Sequence, residues 1–253
     1  MAKVSGIIIT KNVENLVADC ISSLSFCSEI IVIDDSSTDR TAELAKHLGA
    51  KVFTHNSKSF AEQRNFGLTK VKSKWALYVD SDERVSSELR ENVIAVVEKD
   101  TSEYAGYRLQ RKNFYFGNHE WPYIEKLERL FRKSDLEEWY GELHETPRVK
   151  GGVGELDGFL LHYTRRDLSF MVAKTIEWSK IEAELRFKAH HPKMSWWRFY
   201  RVMLTAFCDS YVRQGGWKAG TAGLVESIYQ SFSMFITYAR LWEMQEEEVR
   251  SKK

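Results

Sequence analysis

Several features are scarce in this chain of 253 residues, and each scarcity excludes something. Neither charge is in surplus, since 37 Lys and Arg stand against 36 Asp and Glu. A nucleic-acid role therefore gains nothing from electrostatics. Cysteines are few and odd in number. Cys20, Cys27 and Cys208 lack metal-ligand spacing and fit a reducing compartment as space-filling side chains. No uncharged apolar window approaches the ~18 to 20 residues of a membrane-spanning helix. The amino terminus lacks the apolar run and small-residue cleavage site of a signal peptide, so a cytosolic or peripheral protein is expected. No internal repeat occurs, and no low-complexity tract apart from the charged tail. A Walker-type nucleotidase fails for want of Gly-x4-Gly-Lys-Ser/Thr. A NAD-dependent oxidoreductase fails because Thr10-Lys11-Asn12 stands where the glycine fingerprint belongs. A haloacid-dehalogenase phosphatase needs Thr or Val where Arg84 stands.

What is present comes in short apolar blocks. With 43% hydrophobic and 29% charged residues, the chain can bury a full-sized core as one large domain, with or without a helical appendage. Residues 4–10 read as a buried β-branched strand, and apolar positions from Val13 to Leu24 recur at helical spacing. Residues 29–33 and 51–54 read as strands, with a helix between them that reaches Leu48 and ends at Gly49. A helix is predicted over about 60–69, a strand over 75–79 and a helix over 86–98. This alternation predicts an α/β fold whose mostly parallel sheet is covered on both faces. The pattern then changes. Residues 106–116 alternate like an exposed strand, 127–132 and 159–163 read as two more, and 151–154 as a flexible glycine loop. From Asp167 onward helical patterns dominate, divided into about three helices by His191-Pro192 and Gly215-Gly216. The expected domains are 1–165 and a helical region, 166–253.

Carboxylates collect where the strands end. Asp34 and Asp35 follow 29–33; Asp80 and Asp82 follow 75–79. In open α/β sheets, ligands bind beyond the carboxyl ends of the strands. Two hard oxygen donors spaced like Asp80 and Asp82 suit Mg²⁺ or Mn²⁺, which share their shell with phosphates. An acidic turn leading into a helix is the structural alternative. Ser36, Ser37, Thr38 and Asp39 supply helix capping, which leaves Asp34 and Asp35 unexplained. An aspartate there can accept from a nucleobase N–H or a ribose hydroxyl. Arg64 lies on the predicted 60–69 helix, where a lone arginine is more often solvated than functional.

Taken together, Ile7-Ile8-Ile9-Thr10, the stretch from Ile31 to Asp39, Arg64-Asn65-Phe66-Gly67 and Asp80-Ser81-Asp82 resemble a family 2 glycosyltransferase of the GT-A fold. The resemblance is greatest to the small bacterial lipopolysaccharide core β-1,4-glucosyltransferase group. It implies a Rossmann-like, mostly parallel sheet with a carboxyl-terminal helical region. It also implies inverting transfer of a sugar, glucose in that group, from a UDP-sugar to a hydroxyl of a cell-envelope glycan such as inner-core heptose. On this resemblance Thr10 and Asp35 would hold the uridine, and Arg64 would approach the base or the diphosphate. Asp80 would face ribose and metal, and Asp82 would ligate the Mn²⁺ or Mg²⁺ that bridges the phosphates. Such a transfer builds negative charge on the leaving phosphate, which a divalent ion neutralises. The sugar passes through an oxocarbenium-like state. An inverting enzyme then needs one carboxylate to take the acceptor's proton.

The base is sought in the second half. The stretch from Trp139 to Pro147 resembles the His-Glu signature of this group, and Glu145 is the expected base. Glu142 and Glu155 are its rivals, each as readily a solvated loop acid, and His144 would orient Glu145 or be structural. His162 matches the carboxyl-terminal histidine metal ligand of many GT-A enzymes. A neutral imidazole suits Mn²⁺, and a buried strand histidine is the alternative. Arg108, Arg111, Lys112, Arg129, Arg132 and Lys133 form a basic block, read mostly as solvated strand surface, with a minority meeting phosphates on an acidic acceptor.

Residues 194–242 mix tryptophan, tyrosine and phenylalanine with arginine and lysine, as interfacial membrane helices do. Packing onto the first domain or onto a second subunit is the alternative. The expected partners are a UDP-sugar and a lipid-linked or lipopolysaccharide-type acceptor, with no nucleic acid and a homo-oligomer possible through the carboxyl-terminal helices. The expected place of work is the cytoplasmic face of the inner membrane. A catalytically inactive GT-A domain acting as a membrane-associated scaffold is the competing reading, against which Asp80, Asp82 and Glu145 together argue.

Overall fold

The β-branched run near the amino terminus forms β1 (Ala2–Thr10) of a mixed sheet in the computed structural model, which describes residues 2–57, 59–99, 103–116, 119–141, 145–163 and 167–251. There follow α1 (Val17–Ser23), β2 (Cys27–Asp34), α2 (Thr41–His47), β3 (Lys51–Thr54), α3 (Phe60–Lys70), β4 (Trp75–Asp80), β5 (Glu83–Val85) and α4 (Ser87–Lys99). Next come β6 (Gly106–Tyr115), β7 (His119–Glu120), β8 (Glu125–Arg132), β9 (Leu136–Tyr140), β10 (Thr146–Val149) and β11 (Val153–Tyr163). Helices α5 (Leu168–Lys188), α6 (Trp196–Cys208) and α7 (Gly220–Ser251) complete the chain. Two compact units result: Met1–Lys112 with Ile124–Tyr163, and Asn113–Tyr123 with Thr164–Lys253.

In the first unit the strands run in the order β3-β2-β1-β4-β8-β6-β11-β5. The pairs from β3 to β4 are parallel; β8 joins β4 antiparallel, β6 joins β8 antiparallel, and β5 closes antiparallel on β11. Both faces of the parallel part are covered, so β1, β2 and β4 are apolar at consecutive positions. Val4, Ile8, Val32, Leu77 and Val79 share a core with residues of α1 and α4. Ile7, Ile31, Ile33, Ala76 and Tyr78 share another with Ala61 of α3, Phe131 and Trp139. Each buried Ile or Leu contributes roughly 1.5–3 kcal/mol, so a polar side chain at Ile8 or Leu77 would break the layer.

The second half of this unit departs from the sequence reading. Strand β6 is not exposed, because it lies between β8 and β11 with Tyr107 and Leu109 buried. Across the sheet Arg111, largely buried, meets Glu125, while Arg108 meets Glu128 on the exposed face. Strand β11 begins at Val153, so Gly154 is sheet, not loop. A Cβ there would stand 2.9 Å from the Tyr107 ring. The β9–β10 hairpin was not foreseen.

The second unit holds the three long helices, broken near the expected points. Asp167 caps α5 by accepting from Phe170 N at 2.7 Å. Ala183, Met194, Tyr238 and Leu241 form its buried core. β7 pairs with the far end of β6, and Trp121 Nε1 donates to Gln214 at 3.1 Å. Among the described residues, no helix is long and apolar enough to cross a membrane.

Candidate active site

The carboxyl ends of the parallel strands lie in one row, where Thr10 pairs with Asp34 and Ile9 with Asp80. Asp34 is occupied by structure. It accepts from Thr10 Oγ1 at 3.1 Å and from Ser37 N and Oγ at 2.9 and 2.6 Å. Thr10 is thus present at the row with its hydroxyl engaged on a neighbour. Asp35 differs. Lys11 Nζ reaches its Oδ2 at 2.8 Å, while Oδ1 is buried with no hydrogen-bond partner among the described residues. A buried acceptor left open is costly, and a ligand N–H or O–H would relieve it.

Helix α3 delivers Arg64. Ser59 caps the helix by accepting from Glu62 N at 3.2 Å. Gly67 lets it approach the sheet, since a Cβ there would lie 2.8 Å from Ile7 Cγ2. Asn65 exchanges two hydrogen bonds with the Trp139 backbone, at 2.8 and 2.7 Å, tying β9 to the helix. Arg64 is only 3% exposed, with its guanidinium 4.8 Å from the Trp139 ring. A buried cation is tolerable only when paired. Arg64 Nη2 donates to Asp80 Oδ1 at 2.9 Å and to Glu145 Oε1 at 2.8 Å, and Nε donates to the same Glu145 oxygen at 3.0 Å. Arg64 is thus not the solvated arginine that a lone helical position more often holds, because two acids from distant segments pair with it.

Asp80 has a second cation, Arg129 Nη2, at 2.9 Å from Oδ2. Burial alone would raise the Asp80 carboxyl, but Arg129, Arg64 and then Arg111 outweigh it and hold the group far below the usual carboxylate range. Glu83 lies beneath, entirely buried. Its Oε2 accepts from Asp80 N at 2.9 Å, and its Oε1 accepts from Arg111 Nη1 at 3.1 Å. Burial and the charge of Asp80 push the Glu83 carboxyl upward, against Arg129 and Arg111. Arg111 also pairs with Glu125.

Asp82 stands in the turn between β4 and β5. Pairing of β5 with β11 sets His162 opposite Glu83 and brings His162 Nε2 within 3.1 Å of Asp82 Oδ2. Burial would raise the Asp82 carboxyl; the hydrogen bond and charge of His162 lower it overall. One oxygen and one nitrogen donor share this point. Among the described residues no group of three or more His, Cys, Asp or Glu could hold a cation.

The structure thus joins Arg64, Asp80 and Glu145 in one ion-paired group, Asp82 with His162, and Thr10 with the Asp34 turn. It does not join Glu155 to them, since that acid pairs with Lys126 at 2.7 Å on an exposed surface of the sheet. Glu142 and His144 lie outside the described residues. Sequence reasoning missed Glu83, and it read Arg111 and Arg129 as parts of a mainly solvated block. In fact Arg111, Arg129 and Arg132 are largely buried, with Arg132 4.8 Å from the Trp75 ring. The available signal was a cluster of cations on two strands that follow an acidic turn.

Similarity to known proteins fits this arrangement. The sequence model of the family described as Glycosyl transferase family 2 matches residues 5–152. Lipopolysaccharide core biosynthesis glycosyltransferase LpsC of Rhizobium meliloti (strain 1021) is 27% identical over 94% of this chain and 92% of its own length. An uncharacterized glycosyltransferase of Rickettsia typhi (strain ATCC VR-144 / Wilmington) is 27% identical over 96% of this chain and 88% of its own. The crystal structure of S. aureus TarS in complex with UDP-GlcNAc covers 97% of this chain and 92% of that one, with a TM-score of 0.50 at 13% identity, a likeness of fold alone.

Proposed function

The chain belongs to glycosyl transferase family 2 and has the GT-A fold, and from that premise we propose that it moves glucose from UDP-glucose to a hydroxyl of a lipopolysaccharide-type glycan, with inversion. The observation that carries this reading is the guanidinium of Arg64, which ties Asp80, at a strand end suited to nucleotides, to Glu145, an acid suited to a base. The envelope acceptor is supported by the relative named for lipopolysaccharide core biosynthesis. A lipid-linked acceptor assigns the reaction to the cytoplasmic face of the inner membrane.

The chain's own residues divide the work. Asp35 Oδ1 accepts from the nucleobase or ribose. Arg64 and Arg129 each hold one oxygen of Asp80, which fixes that carboxylate at the strand end beside the donor. Asp82 and His162 are the residues that would hold Mn²⁺ or Mg²⁺. Such an ion, when bound, neutralises charge on the departing diphosphate. Glu145 receives Arg64 on Oε1 only, so Oε2 is the atom that accepts the proton from the acceptor hydroxyl. That hydroxyl oxygen bonds to the anomeric carbon from the face opposite the leaving group. The bond from the anomeric carbon to the diphosphate oxygen breaks, and UDP departs with its electron pair. A single displacement of this kind inverts the centre and needs one base.

The test is incubation of the purified chain with UDP-glucose, a divalent ion and lipopolysaccharide truncated at the inner core. The expected outcome is an acceptor heavier by one hexose. Neither transfer nor donor hydrolysis with any UDP-sugar would overturn the reading and favour an inactive scaffold.

A further inference from the structure

Helix α6 takes no part in the chemistry above, and its surface is unusual. None of its residues is buried, and it carries Arg198 and Arg201 but no acid. Phe199 and Val202 pack against the core of Met194, Tyr238 and Leu241, and the Phe199 ring lies 5.9 Å from that of Phe235. With 3.6 residues per turn, Trp197, Tyr200, Arg201 and Leu204 fall together on the opposite face. Trp197 is 45% exposed, Tyr200 72% and Leu204 64%, with Trp196 at the helix start 76%. A surface helix normally presents polar residues to water; this one presents aromatic rings and a leucine.

The cations indicate what covers it. The guanidinium carbons of Arg198 and Arg201 lie 4.7 and 5.6 Å from the Trp197 ring. The pairing recurs in the turn that follows, where Trp217 is exposed and Lys218 Nζ lies 5.4 Å from its ring. Amphipathic rings beside cations, with no acid on the helix, match the boundary layer of an anionic bilayer. There the rings settle at headgroup depth and the guanidinium groups meet phosphates. A second copy of the chain matches poorly, because a two-fold contact on this face would set arginine against arginine.

We propose that the outward face of α6 docks the protein onto the surface of an anionic membrane, with Trp196, Trp197, Tyr200 and Leu204 among the headgroups and Arg198 and Arg201 on lipid phosphates. The helix lies along the surface and does not span it. This inference deepens the reading of a lipid-linked acceptor without depending on the transfer reaction.

The test uses the full chain and sucrose-loaded vesicles of phosphatidylcholine, alone or with about a third phosphatidylglycerol. The protein should pellet with the anionic vesicles at low salt and be released at high salt. Tyr200→Ser/Leu204→Ser should weaken partitioning by about tenfold or more, as loss of a buried leucine and a ring requires. Arg198→Gln/Arg201→Gln should bring anionic vesicles down to the level of neutral ones. Thermal stabilisation by UDP confirms that each variant is folded. Absence of pelleting at low salt, or equal pelleting of wild type and both variants, overturns the proposal. A dimer in sedimentation velocity without lipid that Tyr200→Ser/Leu204→Ser converts to monomer also overturns it and assigns the face to a second copy. The vesicles contain no glycan, so their failure to bind leaves the transfer reading intact.

Discussion

Asp80 Oδ1 and Glu145 Oε1 are held by one and the same nitrogen, Arg64 Nη2, at 2.9 and 2.8 Å. The consequence is mechanical as well as electrostatic. The acid at the strand end and the acid before β10 cannot move independently while this arginine holds both. Burial lowers the proton affinity of the guanidinium, but Asp80 and Glu145 more than restore it, so it stays charged.

Arg64→Lys keeps the charge but not the fork, and a single ammonium cannot reproduce its geometry. Turnover should fall by about 10² or more, the scale of a small misplacement of reacting groups. Arg64→Ala leaves two part-buried carboxylates without their shared partner, and stability should drop by about 3 kcal/mol. Steady-state kinetics and urea denaturation would check the pair. Near-normal turnover in Arg64→Lys would show that the bridge has no positioning role.

Glu145→Gln preserves the shape and an acceptor oxygen for Arg64, while Asp80 still pairs with that arginine. Turnover should fall by about 10²- to 10⁴-fold, with UDP-sugar affinity measured by calorimetry nearly unchanged. A variant of near-wild-type activity would transfer the role of base to Glu142.

The strand-end acids were legible in the sequence because a buried strand has a plain signature and a carboxylate at its end violates it. That logic finds Asp34, Asp35, Asp80 and Asp82 from apolar runs alone. It fails for Arg64, because burial of an arginine depends on which acids arrive from elsewhere, here β4 and the segment before β10. Glu83 is the clearest loss. In sequence it merely extends an acidic turn, and only the pairing of β5 with β11 buries it. Arg111 and Arg129 were obscured for the converse reason: cations on a strand look like a wet surface until the opposing acids are known.

Asp82→Asn should remove the dependence of UDP-sugar binding on Mn²⁺ or Mg²⁺ and leave the fold intact, because its side chain is one-third exposed. His162→Ala should weaken the same dependence by at least about 10- to 100-fold, since a lost ligand costs no less than a lost supporting group. Thermal shift with UDP-glucose, with and without the ion, would separate the cases. Metal-dependent stabilisation of Asp82→Asn equal to wild type would remove Asp82 from the ligand set.

Glu29 makes a prediction about acid stability remote from the candidate active site. Its carboxylate accepts from Ser5 Oγ at 2.6 Å, Lys51 Nζ at 2.6 Å and Lys72 N at 2.8 Å, which staples β1, β2, β3 and the turn after α3 together. Burial alone would raise its pKa, but the bonds from Lys51, Ser5 and Lys72 outweigh burial and lower it from 4.5 to about 2. A group depressed in the folded state contributes stability above its unfolded value and loses it as pH falls through the folded one. The window is therefore from about pH 4.5 down to about pH 2. Lys51 is half exposed, so solvent screening reduces the contribution to about 2 kcal/mol at neutral pH. Glu29→Gln should be less stable than wild type by about that amount at neutral pH, and the two urea curves should converge as pH falls toward about 2. A gap that stays constant across the window would mean that Glu29 acts through shape and not through its charge.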